Sequence, residues 1–180
     1  MIYLIGGVGR SGKTSTRQRL LRDYKISGME TDSLRISFES SFPRFGISYK
    51  NPPMLNAQKM APFITSFIKS RLLFEESFVL EGDCITPNVV KYFKNNTQIQ
   101  SLFLGYPNIS VEEKLQQLLR DREGWTKDRT NDDLRKKIKI FIDDSKIFQR
   151  LCAETNLPFI DTSKLSLDET ISASLGALHF

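Results

Sequence analysis

The chain holds a single histidine, His179, and two cysteines, Cys84 and Cys152, among its 180 residues. A disulfide framework or a zinc cluster needs several such ligands at close spacing. Both are therefore excluded, and the cysteines are expected as reduced, half-buried thiols. No apolar run approaches the roughly 20 residues that a membrane-spanning helix requires. The stretch Ile2-Tyr3-Leu4-Ile5 is too short, and too soon followed by Gly6-Gly7, to act as a secretory signal, so a cytoplasmic location is expected. Internal repeats, low-complexity tracts and linkers are also missing, which predicts one continuous domain over residues 1–180. Neither charge sign dominates strongly: 26 basic against 21 acidic residues give +5, which suits a protein handling polyphosphates and suits a nucleic-acid end as well. The basic run Arg135-Lys136-Lys137 with Lys139 is interleaved with Asp128, Asp132, Asp133, Asp143 and Asp144. It reads as a solvated helix face rather than a nucleic-acid stripe.

What is present is concentrated in Gly7-Val8-Gly9-Arg10-Ser11-Gly12-Lys13-Thr14, a G-x-x-x-x-G-K-[ST] loop directly after the apolar run at 2–5. At average residue frequencies the four fixed positions match by chance in about one chain of this length in a hundred, and a position between strand and helix makes chance rarer. Gly7, Gly9 and Gly12 permit positive φ and close backbone approach, so that successive N–H groups wrap an anion at the positive end of the next helix. Arg10, Ser11 and Ser15 complete the nucleotide-binding stretch. Lys13 reaches the β/γ-phosphates as a point charge, exposed to ligand rather than packed, and the Thr14 hydroxyl ligates Mg²⁺.

Beyond the loop and its helix, strands are read at 25–30, 77–81, 99–104 and 157–160. They alternate with helical patterns. One covers 57–74, with Pro62 in a first turn or at a kink, and one starts at Thr86-Pro87. One opens with the capping box Ser110-Val111-Glu112-Glu113. A long one carries Leu134, Ile138, Phe141, Phe148 and Cys152 inward, and the last is capped by Ser166 and Glu169 and ended by Gly176. Strands alternating with helices predict an α/β fold with a parallel sheet covered on both faces. Residues 39–55 lose all periodicity, and a long aperiodic loop in a compact domain is either functional or disordered.

Three further constellations carry chemistry. Asp32 and Arg35 stand at the tip of the second strand, on the sheet edge that carries the phosphate loop. There a carboxylate can accept the proton of an attacking hydroxyl, and a guanidinium can hold a phosphate or carboxylate of the acceptor; the competing reading is a helix cap and a solvated arginine. Glu81 and Asp83 end the third strand, where such folds hold the water shell of Mg²⁺ or the acceptor; their spacing does not say which does which. Arg120, Arg122 and Arg129 flank Glu123-Gly124-Trp125-Thr126 between two helices, a segment at about 120–131 suited to a lid that brings cations onto the transferring phosphoryl group.

With these features the whole chain resembles the P-loop kinases of nucleotides and small molecules. Thr31-Asp32-Ser33-Leu34-Arg35 is similar to polynucleotide 5′-kinase domains and 2-phosphoglycerate kinase-type proteins, and Val79-Leu80-Glu81-Gly82-Asp83 to antibiotic phosphotransferases of the chloramphenicol type. The resemblance implies ATP with Mg²⁺, a five-stranded parallel sheet of order 2-3-1-4-5, Asp32 as base and a lid arginine (Arg122 or Arg129) at the phosphates. The expected activity is transfer of the γ-phosphate to a hydroxyl or phosphate of a small-molecule or nucleoside/nucleotide acceptor. A nucleotide-binding regulatory ATPase is the alternative. A GTPase switch is excluded by the absence of an Asn-Lys-x-Asp guanine reader. The acceptor loop at 39–55 mixes Phe42, Phe45 and Tyr49 with Arg44 and Lys50, which suits a ring-bearing hydroxyl compound with some negative charge better than a small neutral sugar.

Overall fold

The structure is a computed structural model that describes residues 1–120 and 124–180. Its centre is β1 (Ile2–Gly7), buried along its whole length. Side chains of a strand alternate between faces, and β1 supplies two cores at once. Ile2 and Leu4 join the larger core on one face of the sheet, while Tyr3 and Ile5 join the smaller core on the other. A strand apolar on both faces is what a parallel sheet sandwiched by helices demands.

β1 pairs in parallel with β3 (Phe78–Gly82) and β4 (Ile99–Gly105); β2 (Ser27–Glu30) adds outside β3, and β5 (Phe159–Asp161) outside β4. The order is β2-β3-β1-β4-β5, the one that the resemblance implies. The smaller core is closed by Leu20 of α1 (Lys13–Tyr24) and by the residues around the end of α7 (Leu167–Ala177). The larger core takes its side chains from α3 (Pro53–Arg71), α4 (Pro87–Val90), α5 (Val111–Arg120) and α6 (Asn131–Thr155). Helices thus cover both faces, and α2 (Thr31–Ser41) starts at the open end of β2.

The helix starts follow local chemistry. Ser110 and Glu113 exchange side-chain and backbone hydrogen bonds ahead of α5, as do Ser166 and Glu169 at α7. The Thr86 hydroxyl accepts the Val89 N–H, with Pro87 in the first turn. Leu134, Ile138, Phe141, Phe148 and Cys152 are all buried along α6.

Several expectations are corrected. β2 begins at Ser27 rather than at residue 25, because Lys25 takes φ 59 as the cap that ends α1. Pro62 lies inside α3, whose first turn holds Pro53 instead. The stretch 39–55 is shorter as a loop than its lack of periodicity predicts, since α2 runs to Ser41, a 3₁₀ turn spans Pro43–Phe45, and α3 starts at Pro53. Gly176 sits within α7, which ends one residue later. Both cysteines are fully buried rather than half-buried, and burial pushes the Cys152 thiol up to about 12. Among the described residues no helix is long and apolar enough to cross a membrane.

Candidate active site

The carboxyl end of β1 leads straight into the phosphate loop, and the loop geometry is set by its neighbours. Gly7 (φ 127) and Gly12 (φ 99) occupy the left-handed region that side chains avoid. Gly9 does not, and Arg10 turns left-handed instead, at φ 60. What Gly9 supplies is room, because a Cβ there would lie 2.6 Å from the Phe141 ring. Ser11 Oγ and Lys13 Nζ both donate to the Val8 carbonyl, at 2.8 and 2.5 Å. Lys13 is only 7% exposed, so its side chain is packed against its own loop rather than exposed as read from the sequence. Ser15 follows in the first turn of α1, half-buried.

Tyr106, just past β4 and fully buried, donates its hydroxyl to the Gly9 carbonyl at 2.8 Å. Its own N–H is received by Ser145 Oγ of α6 at 3.0 Å, so the loop rests on a brace shared by β4 and α6. Removing the hydroxyl leaves a part-buried carbonyl without its hydrogen bond. Tyr106→Phe is therefore expected to cost about 1–3 kcal/mol, a fall of several degrees in Tm. An unchanged melting curve would show that the loop draws no support from this bond.

The two strand-end carboxylates have different surroundings. Glu81 is 2% exposed; its Oε1 accepts the Thr14 hydroxyl at 2.8 Å and lies 3.6 Å from Arg17 Nε. Asp83, past the left-handed Gly82 (φ 146), sits in a different field. Burial and the neighbouring Asp32 push its carboxyl up, while Lys13 and Arg35 pull it down. Glu81 is thus the carboxylate on the phosphate-loop hydroxyl, and Asp83 the one that feels the charges of Asp32, Arg35 and Lys13.

Asp32 lies in the first turn of α2 and Arg35 just beyond it, with Arg35 Nη2 3.5 Å from Asp32 Oδ1. The cap position belongs to Glu30, which makes no side-chain capping bond, so the capping explanation for Asp32 does not apply. Nor is Arg35 solvated: its side chain is 15% exposed, against 61% for Asp32. Its other nitrogen, Nη1, lies 3.7 Å from Glu39 Oε2. Glu39 in turn accepts the Ser48 hydroxyl at 2.9 Å and the Tyr49 N–H at 3.0 Å. Asn56 grips Ser48 from the other side, through its N–H at 3.2 Å and its carbonyl at 2.7 Å. The loop after α2 is therefore pinned by polar bonds and by buried Ile47, while Phe42, Phe45 and Tyr49 stay 45%, 50% and 65% exposed.

α6 adds residues that sequence reading placed elsewhere. Arg135 pairs with Glu112 and Asp132, and Lys139 with Asp143, on a solvated face as expected. Lys137 and Asp144 do not belong to that face. Lys137 is half-buried with Nζ 5.1 Å from the centre of the Phe141 ring. Burial lowers its pKa, opposed by Asp83 and Asp144 and reinforced by Arg129 and Arg35. Asp144 is 9% exposed, and burial pushes it up to about 6, with Lys137 opposing and Asp83 adding to the rise. The missed signal was the spacing: 137, 141 and 144 share one helix face, and Phe141 was already assigned inward. Of the three arginines expected in a lid, Arg129 lies in the field of Lys137 and lowers its pKa, Arg120 is exposed at the end of α5, and Arg122 lies outside the described residues.

Among the described residues no group of three or more His, Cys, Asp or Glu side chains is assembled for a metal ion. A phosphate-loop hydroxyl backed by one carboxylate still suits Mg²⁺, which keeps several waters and draws most other ligands from bound phosphates.

No family model matches the chain, and no curated protein matches it in sequence. Solved structures do match in fold. A shikimate kinase from Bacteroides thetaiotaomicron aligns with a TM-score of 0.62 at 12% identity, over 100% of this chain and 99% of that one. A gluconokinase from Sinorhizobium meliloti 1021 gives 0.60 at 16% identity, over 98% and 90%. A shikimate kinase from Acinetobacter baumannii in complex with shikimate gives 0.55 at 16%, over 99% and 92%. The chain shares the fold of these three structures.

Proposed function

We propose that the protein is an ATP-dependent kinase that transfers the γ-phosphate to a hydroxyl or phosphate of a small-molecule or nucleoside/nucleotide acceptor, with residues 1–180 acting as one domain. The observation that carries this reading is the phosphate loop with its Thr14 hydroxyl on the Glu81 carboxylate at 2.8 Å, beside Asp83, which lies in the field of Lys13, Asp32 and Arg35. The fold likeness to proteins named as kinases supports it.

In this reading Gly7, Gly9, Arg10, Ser11, Gly12, Lys13, Thr14 and Ser15 hold the triphosphate through backbone N–H groups, with Lys13 placing a positive charge at the β/γ bridge. Thr14 would hold Mg²⁺, which would supply charge neutralisation at the phosphates when bound. Glu81 orients Thr14. Asp32 takes the proton of the acceptor hydroxyl as its oxygen attacks the γ-phosphorus, and ADP leaves on the opposite side. Arg35 and Lys137 hold an anionic group of the acceptor, and Asp83 fixes the position of a hydroxyl. Arg122 or Arg129 meets the transferring group when the segment at 120–131 closes.

The acceptor side is bordered by the segment at 39–55. Its exposed rings suit a flat or ring-bearing acceptor with some negative charge, a description that a nucleoside or nucleotide satisfies. Replacing Phe42, Phe45 and Tyr49 by alanine is expected to raise KM for the acceptor about ten-fold, the loss of one to two aromatic contacts, with KM for ATP unchanged. A ligand-bound structure with the acceptor more than one side chain away from this segment would end that assignment.

Mass-spectrometric screening of a metabolite pool incubated with the protein and Mg·ATP tests the activity itself. A compound that gains one phosphoryl group and stimulates ATP consumption supports the kinase. Tight ATP binding with no turnover against any acceptor would overturn it and favour a nucleotide sensor.

A further inference from the structure

Arg17 belongs to none of the motifs above, yet it stands three residues after Thr14 and so on the same face of α1. Its side chain is 16% exposed and spans two adjacent strand ends: Nε lies 3.6 Å from Glu81 Oε1, and Nη2 lies 3.5 Å from Glu30 Oε2. Glu30 and Glu81 are register partners between β2 and β3. Glu81 is buried, and the oxygen facing Arg17 is the one that accepts the Thr14 hydroxyl at 2.8 Å. Arg17 Nε is buried and forms no hydrogen bond. It acts on Glu81 as a charge and not as a donor.

A buried carboxylate needs a compensating charge beside it, and Arg17 lies against the same Glu81 oxygen that Thr14 faces. A hydroxyl can offer its lone pairs to a cation only when its own proton is taken elsewhere, and Glu81 takes it. A Glu81 carboxylate turned away from Thr14 would leave that proton free to face the metal.

We propose that Arg17 is a positioning residue for the cation of the nucleotide complex: pairing with Glu30 and Glu81, it holds the Glu81 carboxylate in place, so that the Thr14 hydroxyl points its proton at Glu81 and its lone pairs into the loop. This rests on the reading of the loop as a Mg·nucleotide site. Arg17 itself touches neither nucleotide nor metal.

The test is titration calorimetry of ADP binding with and without Mg²⁺, which separates the metal-dependent gain in affinity from phosphate binding. The wild type is expected to bind Mg·ADP more tightly than ADP alone. In Arg17→Ala the gain is expected to fall about ten-fold or more, the usual loss when a partner behind a metal ligand is removed. Metal-free ADP affinity should stay within about two-fold, because the backbone cradle is untouched. Arg17→Lys, which keeps the charge, should restore part of the gain, and Arg17→Gln, which does not, should behave like alanine. Circular dichroism establishes that each variant is folded; if alanine is not, the contrast between Lys and Gln carries the test. A folded Ala or Gln variant with the full Mg²⁺ gain overturns the proposal, whatever its Tm, and shows Arg17 to be structural. A wild type without any Mg²⁺ gain overturns the reading of the loop itself.

Discussion

Lys13→Ala is expected to lower phosphoryl transfer by at least about 10³-fold, the scale on which removal of one preorganised positive contact to a developing charge acts. That corresponds to about 4 kcal/mol of transition-state stabilisation. The buried position of Lys13 adds a second expected effect. Its Nζ donates to the Val8 carbonyl at 2.5 Å, so alanine removes a side-chain bond that braces the loop. The stability cost is about 1 kcal/mol, and for a chain of this size about 2–4 °C in Tm. The fold survives, because the apolar cores on both faces of the sheet do not include Lys13. Steady-state assays with the acceptor, beside a thermal melt, check both effects. Wild-type turnover in a folded Lys13→Ala protein would remove the central functional claim.

Asp32→Asn should act on turnover and spare ATP. A base that accepts the acceptor's proton contributes about 10²–10⁴-fold to the chemical step, and asparagine, equal in size, cannot accept it. ATP affinity is expected to change little, since Asp32 stands on α2, across the crevice from the loop, with 61% of its side chain exposed. The helix should persist as well. Its N-cap is Glu30, and loss of a first-turn carboxylate costs a helix about 0.3–1 kcal/mol. Calorimetry for ATP and single-turnover kinetics for transfer separate the two quantities. Collapse of ATP affinity with unchanged turnover per bound ATP would make Asp32 a structural or metal-side residue.

The contrast between Glu81 and Asp83 shows where sequence reading stops. Two residues apart on an extended strand, they would share a face, and nothing in their spacing separates their tasks. β3 ends at Gly82 with φ 146, and this one backbone torsion leaves Glu81 against Thr14 and Arg17 while Asp83 joins Asp32 and Lys13. Lys137 and Asp144 were hidden differently. Charged residues on a helix are solvated by default, and only the packing of α6 over Tyr106 and the phosphate loop turns this pair inward. The polar pinning of the 46–52 loop by Glu39 and Asn56 was equally out of reach, because it depends on two helices meeting in space.

What the sequence by itself determined is what neighbouring residues settle among themselves. The phosphate loop is contiguous, so its glycines, Lys13 and Thr14 are specified within eight positions. The caps at Ser110 and Ser166 and the inward stripe of α6 depend on spacings of three and four residues along one helix. Alternation of apolar strands with amphipathic helices then leaves a parallel, doubly covered sheet as the economical way to bury both faces. The tertiary structure alone decided which charges meet. Thr14 and Glu81 are 67 residues apart in the chain yet 2.8 Å apart in space, and Lys137 answers to Asp83 from another element. Such pairings follow from the rotation of each helix against the sheet and from desolvation at the strand ends. Both are properties of the packed molecule, on which no local pattern of residue types reports.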